Sequence, residues 1–342
     1  MRASVVLISH NEAGCALRRT ILAVRDSRTP SALAEVLVLD DSSSPTAEAA
    51  VAAAGGIDSE QGVSVAPLRW LRSDVRLGVV RARTEAARAA TAEVLVFLDA
   101  HCEPQAGWLP PLIGLLRTSP RAVALPVIEV IDPRGWQYLP GPLPEFPPRG
   151  VLLDWNLTFG WKPLDNATRA ARSAGGGRGD PRADGGPLSP LATPMMAGGV
   201  YAMRRDWFFE SGGYDLGLEV WGVENAEMAM RIWMCGGALY TLPCSRVGHV
   251  FRARQPFSFP NASGALTVRR NAWRVASVWM DEAASQLGLR VGAKELRAMG
   301  GAPGLDERRA LRSRLGCKSF RWYLEQVYPD HPPFPPGFHW AS

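Results

Sequence analysis

The stretch Val94-Leu95-Val96-Phe97-Leu98-Asp99-Ala100-His101-Cys102-Glu103 runs from apolar residues straight into ionisable ones. Alternation along a strand places Asp99 and His101 on one face. A carboxylate beside an imidazole suits a borderline divalent cation, with positions left for phosphate oxygens. The same pair also fits a strand-end turn with two solvated polar groups. Polar groups gather in the same way at Ser9-His10-Asn11-Glu12 and at Asp40-Asp41, each after an apolar run, and Arg76, Arg81 and Arg83 surround the start of a helical pattern. Glu224 opens another helical pattern beside Trp221 and a glycine. An aromatic face for a ring and a carboxylate for its hydroxyls commonly make a sugar site, although a carboxylate at a helix start is also ordinary capping. His249, in Val247-Gly248-His249-Val250-Phe251-Arg252, is a lone histidine, a type more often a satisfied polar residue than a ligand.

The elements that must position these groups follow from periodicity. Strands are expected over 4–8, 34–39 and 94–98, with a shorter one over 65–71, and helices after 14, over 46–54 and over 78–90. Five apolar residues without interruption at 94–98 predict a strand buried on both faces, and the strand–helix alternation predicts an α/β fold with a parallel, doubly wound sheet. Open sheets of this kind hold ligands at the carboxyl ends of their strands, where Asp41 and Asp99 fall. A helix opened by proline is expected from Trp108, a strand over 122–130, a strand or hairpin over 151–161, and an irregular, mobile loop over 170–190 around Gly175-Gly176-Gly177. The paired glycines Gly198-Gly199 would let backbone approach a ligand closely. A helix is expected over 225–235, a strand over 239–243, a lid over 254–264, an amphipathic helix over 269–287 with Trp273, Ala276 and Met280 on one face, and a basic helix over 305–315.

Composition narrows the class. With 342 residues, 46% of them hydrophobic, the chain can bury a large core. Its net charge of +5 comes from scattered arginines, without a basic block or basic-aromatic interleaving, so it favours anionic ligands and does not suggest nucleic acid. No GxGxxG follows the first strand and no GxxxxGK[ST] occurs, which argues against Rossmann dehydrogenases and P-loop NTPases. No apolar run reaches about 18 residues and no signal peptide is evident, so neither a membrane span nor a leader is expected. The five cysteines form no zinc pattern, and sequons stand at Asn156, Asn166 and Asn261.

Taken together, Ser9-His10-Asn11-Glu12, Asp40-Asp41-Ser42, Arg76-Leu77-Gly78, Asp99-Ala100-His101, Pro194 to Gly199, Trp221-Gly222-Val223-Glu224-Asn225, Gly248-His249-Val250-Phe251-Arg252 and Trp322-Tyr323-Leu324 form a collinear series over about 4–330. It resembles the catalytic domain of the polypeptide N-acetylgalactosaminyltransferases. The resemblance implies a GT-A fold, with a nucleotide-sugar half over 1–115, a metal and acceptor half over 190–265 with a lid over 249–264, and a proline-rich tail over 331–342. It implies retaining transfer of N-acetylgalactosamine from UDP-GalNAc to Ser or Thr hydroxyls of a polypeptide. Asp99, His101 and His249 would hold Mn²⁺, Arg252 would add positive charge from the lid, and His10, Asp41 and Arg76 would fix the uridine, with Asp41 accepting from the uracil imide. Trp221 and Glu224 would line the sugar and acceptor site, with Glu224 catalytic. The family pattern further implies a Cys235–Cys317 disulfide, an unpaired Cys244, no lectin domain or membrane anchor within this chain, and residence in the Golgi lumen.

Some positions depart from that pattern. Val223 stands where the family has glycine, and a β-branched residue there predicts a strained or reshaped loop around Glu224. Phe257 stands where tyrosine is common, and Asn261 replaces a glycine. Two other readings therefore stay open: a catalytically weak homologue that binds UDP or a partner as a regulator, and a GT-A transferase using another UDP-sugar.

Overall fold

The structure is a computed structural model that describes residues 1–342 apart from 28, 30, 58–65, 140, 142–146, 174–185, 187, 253–257, 260–262, 287–302 and 335–342. Its first part alternates strands β1 (Ala3–Ser9), β2 (Leu33–Asp41), β3 (Leu68–Ser73) and β4 (Val94–Asp99) with helices α1 (Gly14–Asp26), α2 (Ala47–Ala53) and α3 (Val79–Ala89). These strands pair in parallel in the order β3-β2-β1-β4. The uninterrupted apolar run of β4 is explained by its two covered faces. Val94, Val96 and Leu98 enter a core with Leu17, Ile21 and Val24 of α1, while Leu95 and Phe97 enter a second core with Val80 and Ala86 of α3. Each such side chain, fully buried, contributes about 1.5–3 kcal/mol.

Beyond β4 the sheet becomes mixed. β5 (Cys102–Pro104) is followed by α4 (Leu109–Thr118) and β6 (Ala122–Ile131), and later by the short β9 (Leu191–Ala192), β10 (Val200–Arg204), α6 (Arg205–Glu210), α7 (Glu224–Met234) and β11 (Ala238–Val250), to which β9 runs antiparallel. β10 runs antiparallel to both β4 and β6, β6 pairs in parallel with β11, and β5 is antiparallel to β11. The doubly wound parallel arrangement thus describes the first four strands, and β10 reverses it. The reversal matters, because Val200 pairs with Leu98 and the start of β10 lies beside the end of β4. That register brings Gly198-Gly199 to Asp99.

A separate hairpin, β7 (Arg149–Leu152) and β8 (Phe159–Lys162), forms where the aromatic, partly alternating stretch predicts one. Helix α5 (Asn166–Ser173) extends into the stretch expected to be irregular, and residues 174–185 and 187 of that stretch lie outside the described residues. So do 253–257 and 260–262 of the expected lid. α8 (Gly264–Trp279) begins earlier than its pattern suggests, because Ser263 Oγ accepts from Leu266 N–H at 3.3 Å and caps it. Its fully buried aromatic is Trp279, and Trp273 is only half-buried. Helices Leu305–Arg314 and Phe320–Gln326 complete the described chain.

Two devices hold α7 in place. The Cys235–Cys317 disulfide joins its end to the loop before Phe320, while Cys15, Cys102 and Cys244 are free thiols. Glu227 and Arg231 of α7 form a fully buried ion pair at 2.9 Å, and Arg308 donates to the same Glu227 at 2.7 Å. No helix among the described residues is long and apolar enough to cross a membrane.

Candidate active site

Asp99 ends β4, His101 lies in the turn after it, and His249 comes from the end of β11. Their donor atoms all lie within 4.8 Å of one another. His249 reaches them because β5 pairs with β11, with Cys102 opposite His249. His249 Nε2 is 3.4 Å from Asp99 Oδ2, and the two imidazoles stand edge to face with centroids 4.8 Å apart. His249 Nδ1 is buried without a hydrogen-bond partner among the described residues. The donor set itself, one carboxylate and two imidazoles within 4.8 Å of one another, fits a borderline divalent cation such as Mn²⁺ and leaves coordination positions open.

Two residues outside the expected set support these ligands. Arg83 of α3, buried, donates to Asp99 Oδ1 at 2.8 Å and to the Tyr214 hydroxyl at 3.3 Å. Burial would push the Asp99 carboxyl up, but His249, Arg83 and His101 together hold it well below the usual carboxylate range. Glu12, just past β1, meets His101 Nδ1 at 3.2 Å through Oε2 and Arg252 through Oε1. Burial acts to raise its carboxyl as well, and those two partners outweigh it and keep it low. A carboxylate on one imidazole nitrogen leaves the other free for a metal.

The residues expected around uridine divide. His10 and Arg76 line the cavity, whereas Asp41 is completely buried and does not reach its wall. The Asp41 carboxylate accepts from Leu77 N–H at 2.6 Å and Gly78 N–H at 3.0 Å and pairs with Arg76, while its backbone carbonyl meets His10 Nδ1 at 2.7 Å. It therefore braces the turn into α3 and, through Arg76, the wall. Burial first and the Arg76 charge second lower the His10 imidazole.

Opposite stands the loop Glu219–Val223. Trp221 is 45% exposed at the cavity mouth, and Glu224, nearly buried, opens α7 with Oε2 accepting from Gly222 N–H at 2.9 Å. Burial pushes the Glu224 carboxyl up, opposed by the Arg83 charge and backbone N–H groups and reinforced by Asp99. The paired glycines make room for carboxylates: a Cβ on Gly199 would overlap Asp99, and one on Gly198 would lie 3.0 Å from Glu224 Oε1. Val223 has φ 60°, the left-handed region, as its departure from glycine predicts strain to require. Asn271 of α8 holds this loop in place, donating to Glu219 O at 3.0 Å and Gly222 O at 3.3 Å and accepting from Glu219 N–H at 3.0 Å.

The cavity enclosed by these groups has a volume of about 560 Å³, and Phe159 and Trp161 of the β7–β8 hairpin form a further wall. Asp99, His101, His249, Arg252, His10, Arg76, Trp221 and Glu224 all face it.

Residues 4–172 match the family Glycosyl transferase family 2, and residues 189–255 match the family described as N-terminal domain of galactosyltransferase. Polypeptide N-acetylgalactosaminyltransferase 4 of Caenorhabditis elegans is 39% identical over 330 residues, 96% of this chain and 51% of the relative. Polypeptide N-acetylgalactosaminyltransferase 11 of Xenopus tropicalis is 40% identical over 329 residues, 96% of this chain and 50% of the relative. Over 96% of its length the chain resembles the polypeptide N-acetylgalactosaminyltransferases. It spans about half the length of the curated relatives it matches. A crystal structure of the family member GalNAc-T7 with UDP, GalNAc and Mn²⁺ superposes with a TM-score of 0.78 at 30% identity, over 98% of this chain and 59% of that one, and the fold is GT-A.

Glu12 and Arg83 are the supporting residues that periodicity does not single out. Both carried a signal, Glu12 its place at a strand's carboxyl end and Arg83 its place among the arginines at a helix start, but only α3's position against β4 shows that Arg83 is the one that meets Asp99.

Proposed function

We infer that the protein transfers N-acetylgalactosamine from UDP-GalNAc to Ser or Thr hydroxyls of a polypeptide with retention of configuration. The observation that carries this is one cavity in which the Asp99–His101–His249 cluster faces Glu224 and Trp221 across the Gly198-Gly199 turn. The family resemblance and the ligands of GalNAc-T7 support the choice of donor, sugar and metal. Asp99, His101 and His249 would hold Mn²⁺, which when bound supplies positive charge against the charge that develops on the departing diphosphate. Arg252 brings a second positive charge to the same side of the cavity. His10 and Arg76 hold the uridine, Arg76 being set by Asp41, which takes part as its brace. In the reaction the bond from the anomeric carbon to phosphate breaks and one to the acceptor oxygen forms, while the hydroxyl proton leaves to a base on the same face. Glu224 lies where it can orient the sugar and acceptor, Trp221 offers its ring as a platform, and Phe159 and Trp161 extend the apolar surface available to a peptide.

Residues 1–115 then form the nucleotide-sugar half, and 190–265 the acceptor half, with the metal cluster drawn from both. The Cys235–Cys317 disulfide suits the oxidising lumen of the secretory pathway, and within it we place the protein in the Golgi.

The test is transfer from radiolabelled UDP-GalNAc to a Ser/Thr-rich peptide pool with and without Mn²⁺, beside a His101→Ala control and a UDP-binding measurement. Transfer that requires both metal and His101 is the expected result. One observation favours a second reading, a nucleotide-binding regulator: the left-handed Val223 in the loop that carries Glu224. Metal-dependent UDP binding without transfer to any peptide would select it, and transfer from another UDP-sugar alone would replace the donor.

A further inference from the structure

The β7–β8 hairpin has four residues in each strand and stands apart from the main sheet. A two-stranded hairpin is at best marginally stable in water, so something else must set its position. On one side the chain supplies Met195, whose N–H donates to Gly150 O at 3.2 Å, and Thr193, whose Oγ1 accepts from Gly150 N–H at 3.1 Å. Val151, Leu152, Trp155 and Leu157 join the main core, and Trp155 meets Phe320 edge to face at 6.4 Å. Further support comes from the segment Tyr328–Phe334, more than 160 residues later in the chain.

Its contacts reach both strands and the connecting turn. Tyr328, buried, donates its hydroxyl to Leu152 O at 2.9 Å and accepts from Leu152 N–H at 3.0 Å. Asp330 Oδ2 accepts from Arg149 at 2.6 Å and from Lys162 at 3.3 Å. Arg149 and Lys162 are register partners across the hairpin, so this one carboxylate ties its two open ends together. Phe334 stacks on Trp155 of the turn with ring centroids 4.4 Å and planes 14° apart, and Trp155 Nε1 donates to Pro333 O at 2.9 Å. The same hairpin presents Asn156, Leu157, Thr158, Phe159 and Trp161 to the cavity.

We propose that Tyr328–Phe334 is a positioning strap that holds the hairpin wall of the cavity and thereby sets affinity for the polypeptide acceptor, without touching the donor or metal. The acceptor's identity rests on the functional reading above; the mechanical role of the strap does not. None of Tyr328, Asp330 or Phe334 lines the cavity, so their effect passes through the hairpin.

The test compares Phe334→Ala and Asp330→Asn with the conservative Phe334→Tyr and Asp330→Glu. Steady-state kinetics with a peptide acceptor, UDP binding at fixed Mn²⁺, and amide hydrogen exchange across 149–162 and 94–99 are read in each. In Phe334→Ala the acceptor KM is expected to rise roughly three- to tenfold, the ratio corresponding to one lost stacked pair, with the UDP Kd unchanged within about twofold. Exchange should quicken in the hairpin and not in β4, and the conservative variants should restore both. An unchanged acceptor KM in both disruptive variants, or a UDP Kd that rises by the same factor as KM, overturns the strap. If the unaltered protein transfers to no peptide, the functional reading has failed and exchange alone decides: hairpin protection unchanged in Phe334→Ala overturns the strap, and its selective loss upholds it.

Discussion

Val223 offers a comparison whose sign can be worked out in advance. At ordinary positions alanine is more stable than glycine by about 0.5–1 kcal/mol, because glycine loses more backbone freedom on folding. Val223 sits at φ 60° and ψ 4°, where a Cβ crowds the following carbonyl, and there the order inverts: alanine in place of glycine destabilises by more than about 0.4–1 kcal/mol. Replacing the nearly buried isopropyl group by a methyl removes two carbons at about 0.8 kcal/mol each, so Val223→Ala should be about 1.5 kcal/mol less stable than the native chain. Val223→Gly loses that contact too but escapes the left-handed penalty, and should fall only about 0.5–1 kcal/mol below native. The strain persists in the native chain because Asn271 fixes the loop from Glu219 to Gly222 and α7 begins at the next residue. Urea unfolding of the three proteins, with m-values checked for constancy, measures the order directly. An alanine variant more stable than the glycine variant would refute the reasoning and mean that the loop relaxes out of the left-handed region without cost.

Three further outcomes follow from other contacts. Arg83→Met leaves the Asp99 carboxylate without its 2.8 Å donor, and because Asp99 keeps 29% of its side chain exposed the loss should lie near the lower end for a broken buried pair, about 3 kcal/mol, measurable by thermal unfolding in the presence of a chelator. Burial raises the Glu35 carboxyl, but donors from Ser4, Arg69 and Thr91 outweigh it and hold it at about 2 against an ordinary 4.5. A depressed folded value means that its contribution is complete above about pH 4.5 and is lost as the pH falls toward 2; it amounts to about 2–3 kcal/mol after allowing for the partly exposed Arg69, and Glu35→Gln should flatten the stability–pH curve in that window. Replacing Cys235 and Cys317 together by serine opens a crosslink with a sequence separation of 82 residues, and the denaturant midpoint should drop by the equivalent of about 4 kcal/mol, with an unchanged midpoint counting against it.

The sheet's parallel half was legible because its signals are local. Runs such as Val94–Leu98 can be uninterrupted only where both faces are covered, and the polar residues that end them mark the sheet's ligand edge whatever the rest of the chain does. The pairing of Asp99 with His101 and the helix opening at Glu224 belong to the same class of information, readable from spacing alone. The family resemblance added His249, Arg76 and the disulfide, which no spacing rule supplies.

Tertiary structure decided what depends on residues far apart in the chain. The reversal of β10 puts Gly199 against Asp99, and the β5–β11 pair carries His249 to ligands 150 residues earlier. Glu12 meets Arg252 across a separation of 240 residues, and Asp41 turns inward to serve Arg76 and two backbone N–H groups. Phe334 joins the cavity's construction by stacking on Trp155, although nothing around it in sequence marks it as more than part of a proline-rich stretch. The physical reason is common to all of these. Periodicity reports which face of an element is buried, whereas the partner on that face is chosen by how the layers close, and that choice leaves no imprint on neighbouring residues.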